Sequence, residues 1–588
     1  MITQMKKYTF LVFHREYDAF LEQLRDLGVV HITEKAAGNA DDQQLQHLLA
    51  EADSIRKLIA QGAPDQLLQE KAALEQRIAA TQKEADRMAV WGDFSAKRME
   101  QLQQAGYTLR YFTCPKKAFQ PEWGIAVAEQ GGLVYFVQVL GEEAMGQSGE
   151  MTTQCQEQFL SAKSTADLQK DVEGLTGLLV AQNARIESWA KTTIPTLETE
   201  LQTIMQQIDW QRVTINTDTI AEGSLKLLEG FCPIDQTEAL NAMLSAQEVY
   251  YQAEDPTDED ATPIKLRNNR FTQLFESLTG MYGWPNYNEF DPTPILAPFF
   301  LLFFAMCMGD CGYGILLIII GLLIAKKKLN IAMFEGLGPI ITVLGVGTTV
   351  VGFFLGTFMG ISLADAAWVP DALKSVMLTG EVMGYNIQMV LALCIGVFHI
   401  CLAMTVKAIC YTKQSGFKAN IATWGWLLLI VGGLAALIIS IVFSLPEAFT
   451  QWLLIAIGIV SALAIYIFNT PGRNPLINIG AGLWDTYNMA TGILGDVLSY
   501  IRLYALGLAG GMLGAAFNDL ALMVMGGTTA GATWQWLPFI LILLLGHVLN
   551  LAMSALGAFV HPLRLSFVEY FKNAGYEGKG TLYKPFKK

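Results

Sequence analysis

The second half of the chain is a series of apolar runs, each close to the length that crosses a bilayer. Hydrophobic residues make up 52% of the sequence and charged residues 16%, and the two classes are unevenly distributed. Residues 1–290 are rich in Gln, Glu, Lys and Asp, whereas apolar runs fill residues 295–560. A run of about 20 apolar residues spans a bilayer as a helix. The sequence therefore predicts a soluble half, 1–290, followed by an α-helical polytopic membrane domain, 291–588.

Eight apolar runs are candidate spans. They cover roughly residues 293–309, 311–326, 335–360, 386–411, 419–444, 452–468, 484–526 and 533–572. The first two are short and meet at the glycine-rich segment 309–314, so they could instead form one kinked span. The last two are about 40 residues each, which is about twice the hydrocarbon thickness, and we expect them to tilt strongly or project from the membrane.

Loop charges favour eight spans with both termini in the cytoplasm, because cytoplasmic loops carry an excess of Lys and Arg. With this topology the inner loops and tail hold Lys326–Lys328, Lys407, Lys413, Lys418, Arg473 and Lys587–Lys588. The outer loops hold Asp365, Asp371, Glu381 and Glu447, with Lys374 as the one basic residue. The N-terminal apolar stretch is too short for a signal peptide, so the soluble half is predicted to stay cytoplasmic. The net charge of −14 argues against nucleic-acid binding.

Two arginines lie inside the last two apolar runs. An arginine at the centre of a membrane helix costs roughly 2.5–3.5 kcal/mol on insertion scales. Arg502 is in the middle of its run, and Arg564 is nearer a helix end. Either side chain could extend to a lipid headgroup. A chain that tolerates both residues is nevertheless predicted to use them.

Further polar residues accompany these arginines. In the last run, the spacings of three and four residues place one stripe on a single helix face: His547, Asn550, Ser554, Gly557, His561, Arg564 and Val568. In the seventh run, Ser499 shares a face with Arg502, Asp485 and Asp496 share another, and Asp519 lies toward the outer end. Each lone residue could simply make an interhelical hydrogen bond. Together they predict an ion path, with Asp519 and His547 in its outer half and Asp485 and His561 in its inner half.

Arg502 suits the centre of such a path, because its guanidinium stays protonated when desolvated. The fixed cation would block direct leakage and hold a passing carboxylate in its ionised form. Asp496 is six residues away on the opposite side of the helix, so the sequence offers no obvious internal partner. The partner is expected in another subunit.

Small residues in two runs predict close helix packing. Gly352, Gly356 and Gly360 follow a four-residue spacing in the third run. A similar ridge in the seventh run includes Gly507, Gly511 and Gly514, where the exposed backbone could also accept a moving neighbour.

The residue pattern of the soluble half predicts α/β lobes joined by helices. One lobe is predicted from residues 1–38 with 222–255, and a distal lobe from 105–145. Near-heptad apolar seams at 40–95 and 160–215 predict an antiparallel coiled-coil hairpin between them. The alternative is one compact α/β domain. Residues 141–148 have the glycine spacing of a phosphate-binding loop but carry Gln147 where the lysine is required, so we expect no ATP hydrolysis by this chain alone.

Four motifs in order resemble the membrane stator subunit of rotary V-type and archaeal-type ATPases, called subunit a or subunit I. They are Phe275–Gly283 with Tyr287–Pro294, Met308–Gly314, Leu498–Leu506 and Gly557–Glu569. The resemblance covers essentially the full chain and looks like the short bacterial or archaeal form, in the plasma membrane.

This resemblance implies a role for each part. Arg502 would face the ion-binding carboxylate of a ring of proteolipid c subunits, Arg564 would support it, and Glu569 belongs to the same motif. The soluble half would anchor peripheral stalks that lead to the catalytic head, beside a central-stalk adaptor subunit. No cofactor is implied.

The sequence departs from some relatives at two positions. Gly510 stands where they have a histidine, and Ser554 stands where they have a glutamate. The outer half of the path is therefore expected to have a different lining, and H+ and Na+ both remain open. The competing functions are a secondary transporter, which predicts inverted repeats that are not seen, and a structural anchor, which leaves both arginines unexplained.

Overall fold

The computed structural model describes residues 2–33, 42–92, 96–141, 155–160, 163–220, 224–247, 249–257, 260–326, 336–366, 369–378, 380–382, 384–469, 475–526 and 533–587. The chain divides into two compact units, residues 34–217 and residues 1–33 with 218–588. Lys327, Lys328, Arg473 and Lys588, and the glycine-spaced segment 142–148, lie outside the described residues.

The unit formed by residues 34–217 combines long helices with an antiparallel sheet. Its helices are Gln43–Gln61, Asp65–Ala89, Ala96–Gln104 and Thr165–Ile215, with a 3-10 turn at Pro121–Trp123. Its strands, in their order across the sheet, are Ile125–Gln130, Leu133–Leu140, Thr108–Pro115 and Gln156–Gln158.

Apolar seams hold the long helices together. Ser164 caps the 51-residue helix Thr165–Ile215, because its side chain accepts a hydrogen bond from the main chain of Asp167. The end of this helix packs through Ile208 on Leu45, near the start of the first helix. Its beginning packs through Leu168 on Met88. The long helix therefore runs antiparallel to the helices that precede it.

The other unit begins with a five-stranded antiparallel sheet and two helices, which we call the near lobe. Its strands are Met5–Phe13, His31–Ile32, Asp218–Ile220, Leu225–Pro233 and Tyr250–Glu254. Its helices are Tyr17–Leu27 and Thr237–Ala246, with a 3-10 turn at Ile234–Gln236 between sheet and second helix. Strand Met5–Phe13 is central, between Leu225–Pro233 and Tyr250–Glu254. Its buried residues alternate, as expected for a strand with one face on a core.

Residues 576–587, the C-terminal strap, complete the near lobe from the far end of the chain. The main chain of Phe586 donates to the carbonyl of Val30 at 2.8 Å, and the Tyr583 hydroxyl donates to the carbonyl of Val29 at 2.6 Å. Leu582 forms a parallel bridge with Ile264. The strap therefore ties the last apolar helix directly to the sheet.

Apolar helices make up most of the remaining chain. Among the described residues, six are long and apolar enough to cross a membrane: Gly338–Leu355, Ile387–Ser415, Lys418–Val442, Glu447–Tyr466, Leu476–Val524 and Trp536–Ala574. Two shorter apolar helices, Thr293–Met308 and Cys311–Ala325, precede them. Helix Lys418–Val442 includes a π-helical stretch, Leu428–Gly432.

The connecting elements of this region are short. They are the helices Arg270–Gln273, Glu276–Tyr282 and Asp371–Lys374, and the two-residue strands Thr357–Phe358, Ile361–Ser362, Glu381–Val382 and Tyr385–Asn386. Each pair of strands forms a small antiparallel hairpin.

A buried aspartate organises the turn between the two short apolar helices. Asp310 caps helix Cys311–Ala325 by accepting from the main chain of Gly312 and Tyr313. The same carboxylate accepts from Met359 at 2.8 Å and from Gly360 at 2.9 Å. Four backbone donors satisfy the buried charge, so this motif residue fixes two loops against each other.

The predicted glycine ridge in the third run is only partly helical. The helix ends at Leu355, because Gly356 takes a left-handed conformation with φ of 74°. Gly352 packs on the Cys311 backbone, where an added Cβ would lie 2.4 Å from the nitrogen. Gly360 instead meets Gly514. Gly352 and Gly360 thus serve close packing, but the three ridge glycines do not share one helix face.

Alanine substitutions at two glycines of the seventh-run ridge are expected to separate the effect of close packing on stability from the effect of helix propensity. An added Cβ at Gly507 would lie 2.6 Å from the carbonyl oxygen of Met306, whereas nothing lies within 4 Å at Gly511. We expect Gly507→Ala to destabilise the protein by about 1–3 kcal/mol through overpacking. Gly511→Ala, the matched control, should be neutral or stabilising by up to about 1 kcal/mol. Melting temperatures of the detergent-solubilised protein test this, and equal values for both variants would contradict it.

The near lobe is expected to weaken in acid through Asp260. Burial raises the pKa of this carboxyl, but hydrogen bonds from Lys7 and Thr257 and the charge of Lys7 outweigh burial and lower the pKa to about 2. A lowered folded-state pKa gives stability that is present above the unfolded value of about 3.9 and is lost as pH falls toward about 2. The protection factors of the main-chain amides in strand Met5–Phe13 against hydrogen exchange should therefore fall over this pH window.

The Asp260→Asn variant should lack that part of the pH dependence. Asp255→Asn is the control, because Asp255 is an exposed partner of Lys6 and should contribute little. An unchanged acid response in Asp260→Asn would show that another group is responsible.

Candidate functional site

The candidate site lies on the last two apolar helices, which we call the Arg502 helix (Leu476–Val524) and the Arg564 helix (Trp536–Ala574). The Arg502 helix is regular over Pro475–Ser499 and Ile501–Val524. At Tyr500 the main chain tightens: Tyr500 donates to Val497 and Leu503 donates to Tyr500. These are i to i+3 bonds, typical of a local 3-10 turn. Arg502 lies within the second of these turns, between Tyr500 and Leu503.

Arg502 has unfulfilled hydrogen-bonding capacity. Its guanidinium Nη1 is buried and has no hydrogen-bond partner among the described residues. No carboxylate in the described part of the chain forms an ion pair with it. A buried donor without a partner costs about 1–3 kcal/mol, and more when charged. Such a group calls for water, an ion or another subunit.

The two predicted aspartates of the Arg502 helix have separate partners. Asp496 accepts from Asn573 at 2.8 Å and from Lys572 at 3.4 Å, both at the end of the Arg564 helix. Asp485 accepts from Asn469 at 3.0 Å. Asp496 is therefore engaged across the helix pair, and Asp485 faces the preceding helix.

A π-helical turn, Leu565–Tyr570, brings Glu569 to Arg564. In a π-helix, residues five apart lie on one side, whereas in an α-helix they diverge. The Arg564 Nε lies 4.0 Å from the Glu569 carboxylate, whose side chain is 3% exposed against 56% for the arginine. Ser499 lies beside the same carboxylate, although its hydroxyl donates to the Gly495 carbonyl. The spacing of the sequence gives no sign of this π turn.

His547 and Asn550 form a satisfied network, the His547 network, with Tyr313 from helix Cys311–Ala325. The Tyr313 hydroxyl lies 2.8 Å from His547 Nδ1 and accepts from Asn550 Nδ2 at 2.8 Å. His547 Nε2 lies 3.0 Å from Asn518 Oδ1, and Ser554 donates to Asn550 at 3.2 Å. Tyr313 and Asn518 were not among the predicted site residues, and only a pairing of distant helices could have identified them.

Asp519 does not join the His547 network. Its neighbour Asn518 turns inward to His547 and donates to the Met359 carbonyl at 2.8 Å, while Asp519 is exposed. One residue rotates a helix by about 100°, so adjacent residues face different sides. The structure thus brings Asn518 to His547 where the sequence had suggested Asp519.

The two departures from the family pattern are neighbours in space. An added Cβ at Gly510 would lie 2.9 Å from the Ser554 hydroxyl oxygen, and the Gly510 carbonyl accepts from Asn550 at 2.9 Å. A larger residue at either position would meet the other. Gly510 and Ser554 therefore lie close together between the two helices.

Several buried polar atoms on these helices have no hydrogen-bond partner among the described residues. We call this set the orphan cluster: Arg502 Nη1, His561 Nδ1, Ser566 Oγ, Glu569 Oε2 and Tyr570 Oη. The charges of both arginines act on His561. Polar atoms in an apolar segment are costly unless water or an ion completes their bonding. The atoms of the orphan cluster therefore need water, an ion or a group outside the described residues to complete their hydrogen bonds.

Sequence comparisons identify the family to which this chain is similar. The model of the V-type ATPase 116kDa subunit family matches residues 147–362 and 486–588, and the second segment contains both arginines. A V-type ATP synthase subunit I of Borreliella burgdorferi is 26% identical over 627 residues, with both chains covered in full.

Archaeal relatives match over a shorter region. An A-type ATP synthase subunit I of Methanocaldococcus jannaschii is 32% identical over 366 residues, 56% of this chain and 49% of the relative. One of Pyrococcus abyssi is 34% identical over 343 residues, 57% of this chain and 49% of the relative. The chain therefore belongs to the V-type ATPase 116kDa subunit family, as a subunit a/I of the V/A-type rotary ATPases.

Proposed function

We propose that this subunit is the stator of an ion-translocating rotary ATPase and supplies two half-channels separated by Arg502. The main observation behind this proposal is the buried Arg502 nitrogen, for which no described residue supplies a hydrogen-bond acceptor. A passing carboxylate of a proteolipid c ring would complete it. At about 4 Å and an effective dielectric of about 20, that attraction is about 4 kcal/mol. It exceeds the roughly 2.3 kcal/mol that one charge gains per 100 mV.

The polar groups on either side of Arg502 support the two half-channels. The His547 network would line the outer half-channel, with Asp519 at its mouth. The orphan cluster would line the inner half-channel, together with Ser499, Asp485, Asp496 and Arg564. Arg502 would force the ring carboxylate to release its ion before it passes the arginine. H+ or Na+ could then move from one half-channel to the other only while bound to the rotating ring.

The exposed side of the Arg502 helix suits a moving neighbour. Gly511 has nothing within 4 Å of an added Cβ, and Met512 is 64% exposed beside it. Leu508, one turn earlier, is 44% exposed. An exposed apolar surface at this part of the helix would let successive ring helices slide past.

The soluble parts would resist torque. In this proposal, eight spans place both termini in the cytoplasm, with the two short helices Thr293–Met308 and Cys311–Ala325 as the first two. Residues 40–95 and 160–215 form the coiled-coil hairpin, and the lobes at 1–38 with 222–255 and at 105–145 anchor peripheral stalks. These stalks lead to the catalytic head, and a central-stalk adaptor subunit connects the ring. ATP chemistry takes place in other subunits.

Replacement of Arg502 tests the proposal. Arg502→Ala should leave assembly with the ring intact but reduce ATP-driven ion uptake into membrane vesicles by more than about 100-fold, because the charge that separates the half-channels is gone. Arg502→Lys should restore little, since a desolvated lysine can lose its proton. Uptake is measured for H+ and for Na+, with copurification of the ring as the assembly readout.

Arg185→Ala is the matched control, because this arginine belongs to the helical unit 34–217 and its side chain is 68% exposed. It should transport normally. Normal uptake by Arg502→Ala would rule out the assigned role.

A further inference from the structure

A buried histidine outside the proposed path contacts the helix that carries Arg502. His399, in helix Ile387–Ser415, is 1% exposed. Its ring stacks between Phe299, with centroids 4.2 Å apart, and Tyr570, with centroids 4.4 Å apart and planes within 10°. Its Nδ1 lies 2.8 Å from the Tyr500 hydroxyl. One side chain thus joins three helices by two stacking contacts and one directed hydrogen bond.

Tyr500 is the point at which the Arg502 helix is held most tightly. The residue is fully buried, and its ring lies against the Gly396 backbone, where an added Cβ would be 2.5 Å from the ring. Phe303 meets it edge-on with centroids 5.7 Å apart. The absence of a side chain at Gly396 is what allows this close approach.

The placement of Tyr500 determines where Arg502 points. Tyr500 and Leu503 are both fully buried, so they fix the rotation of this turn about the helix axis. Two residues along a helix correspond to about 200°, which directs Arg502 away from the anchored tyrosine. The main chain here is a tightened turn with i to i+3 bonds. A turn of that kind can rewind, and rewinding would swing the guanidinium.

We propose that His399 is a positioning residue for Arg502: its hydrogen bond to Tyr500 fixes the rotation of the tightened turn and so the direction of the guanidinium. This inference rests on the proposed function of Arg502. Aromatic stacking alone would hold the rings together but would let them slide, whereas a hydrogen bond has a preferred direction.

A double-mutant cycle separates positioning from stability. Tyr500→Phe and His399→Phe each keep a ring in place but leave the other partner buried and unpaired, so each should lower the melting temperature of the complex. The double variant removes both polar partners and should recover most of that loss, because matched apolar replacement is nearly neutral. If the hydrogen bond positions Arg502, ions taken up per ATP should fall about tenfold in all three variants.

Tyr411→Phe is the control, because it makes the same change on the same helix as His399 and its hydroxyl makes no hydrogen bond among the described residues. It should couple transport to hydrolysis normally. If His399→Phe fails to assemble, the ions taken up per ATP by Tyr500→Phe and by Tyr411→Phe are compared, and this comparison is sufficient to test the inference.

Two results would overturn the inference. One is a double variant that regains both melting temperature and ions per ATP, since the bond would then be purely structural. The other is Tyr500→Phe with normal coupling. Either result leaves the proposed function standing if Arg502→Ala still abolishes uptake, so the two failures are distinguishable.

Discussion

Arg502, with a buried nitrogen that no described residue satisfies, dominates the membrane part of this protein. A guanidinium in an apolar helix is tolerated only when contacts outside the helix offset the free-energy cost of its desolvation. The structure responds by holding the helix rather than by neutralising the charge. Gly507 brings the backbone against the first apolar helix, and Tyr500 anchors the turn just before Arg502. The chain therefore holds a cation in a fixed place, which is what the proposed stator role requires.

The polar groups on the two sides of that cation differ in kind. In the His547 network, every member has a hydrogen-bond partner at 2.8 to 3.2 Å, so its geometry is set by the protein itself. In the orphan cluster, buried atoms lack partners among the described residues. A satisfied network keeps its shape, whereas an unsatisfied one depends on solvent. In the proposed half-channels, ion entry would depend on side-chain rearrangement on one side and on hydration on the other.

Pattern in the sequence was sufficient for the features that depend on local periodicity. The apolar runs, the long seams of the helical unit and the alternation of strand Met5–Phe13 follow directly from residue spacing. The features that were missed depend on irregular backbone or on contacts between distant segments. The π turn that brings Glu569 to Arg564 has no signature in the residue spacing. Which residue of the Arg502 helix contacts His547, in this case Asn518, depends on the rotation of the helix about its axis. Likewise, Gly356 ends a helix that its spacing alone would have continued.

The C-terminal strap also has a consequence for how the molecule is made. The hydrogen bond between His31 and Lys584 joins residues 553 positions apart, and Phe586 supplies part of the near lobe's core. The first strands leave the ribosome long before their last partner exists. All five strands of the near-lobe sheet lie within residues 5–254, but the lobe lacks the strap until the apolar helices have been translated. The strap can pack on the lobe only after the last apolar helix has been translated, so the lobe gains these contacts late.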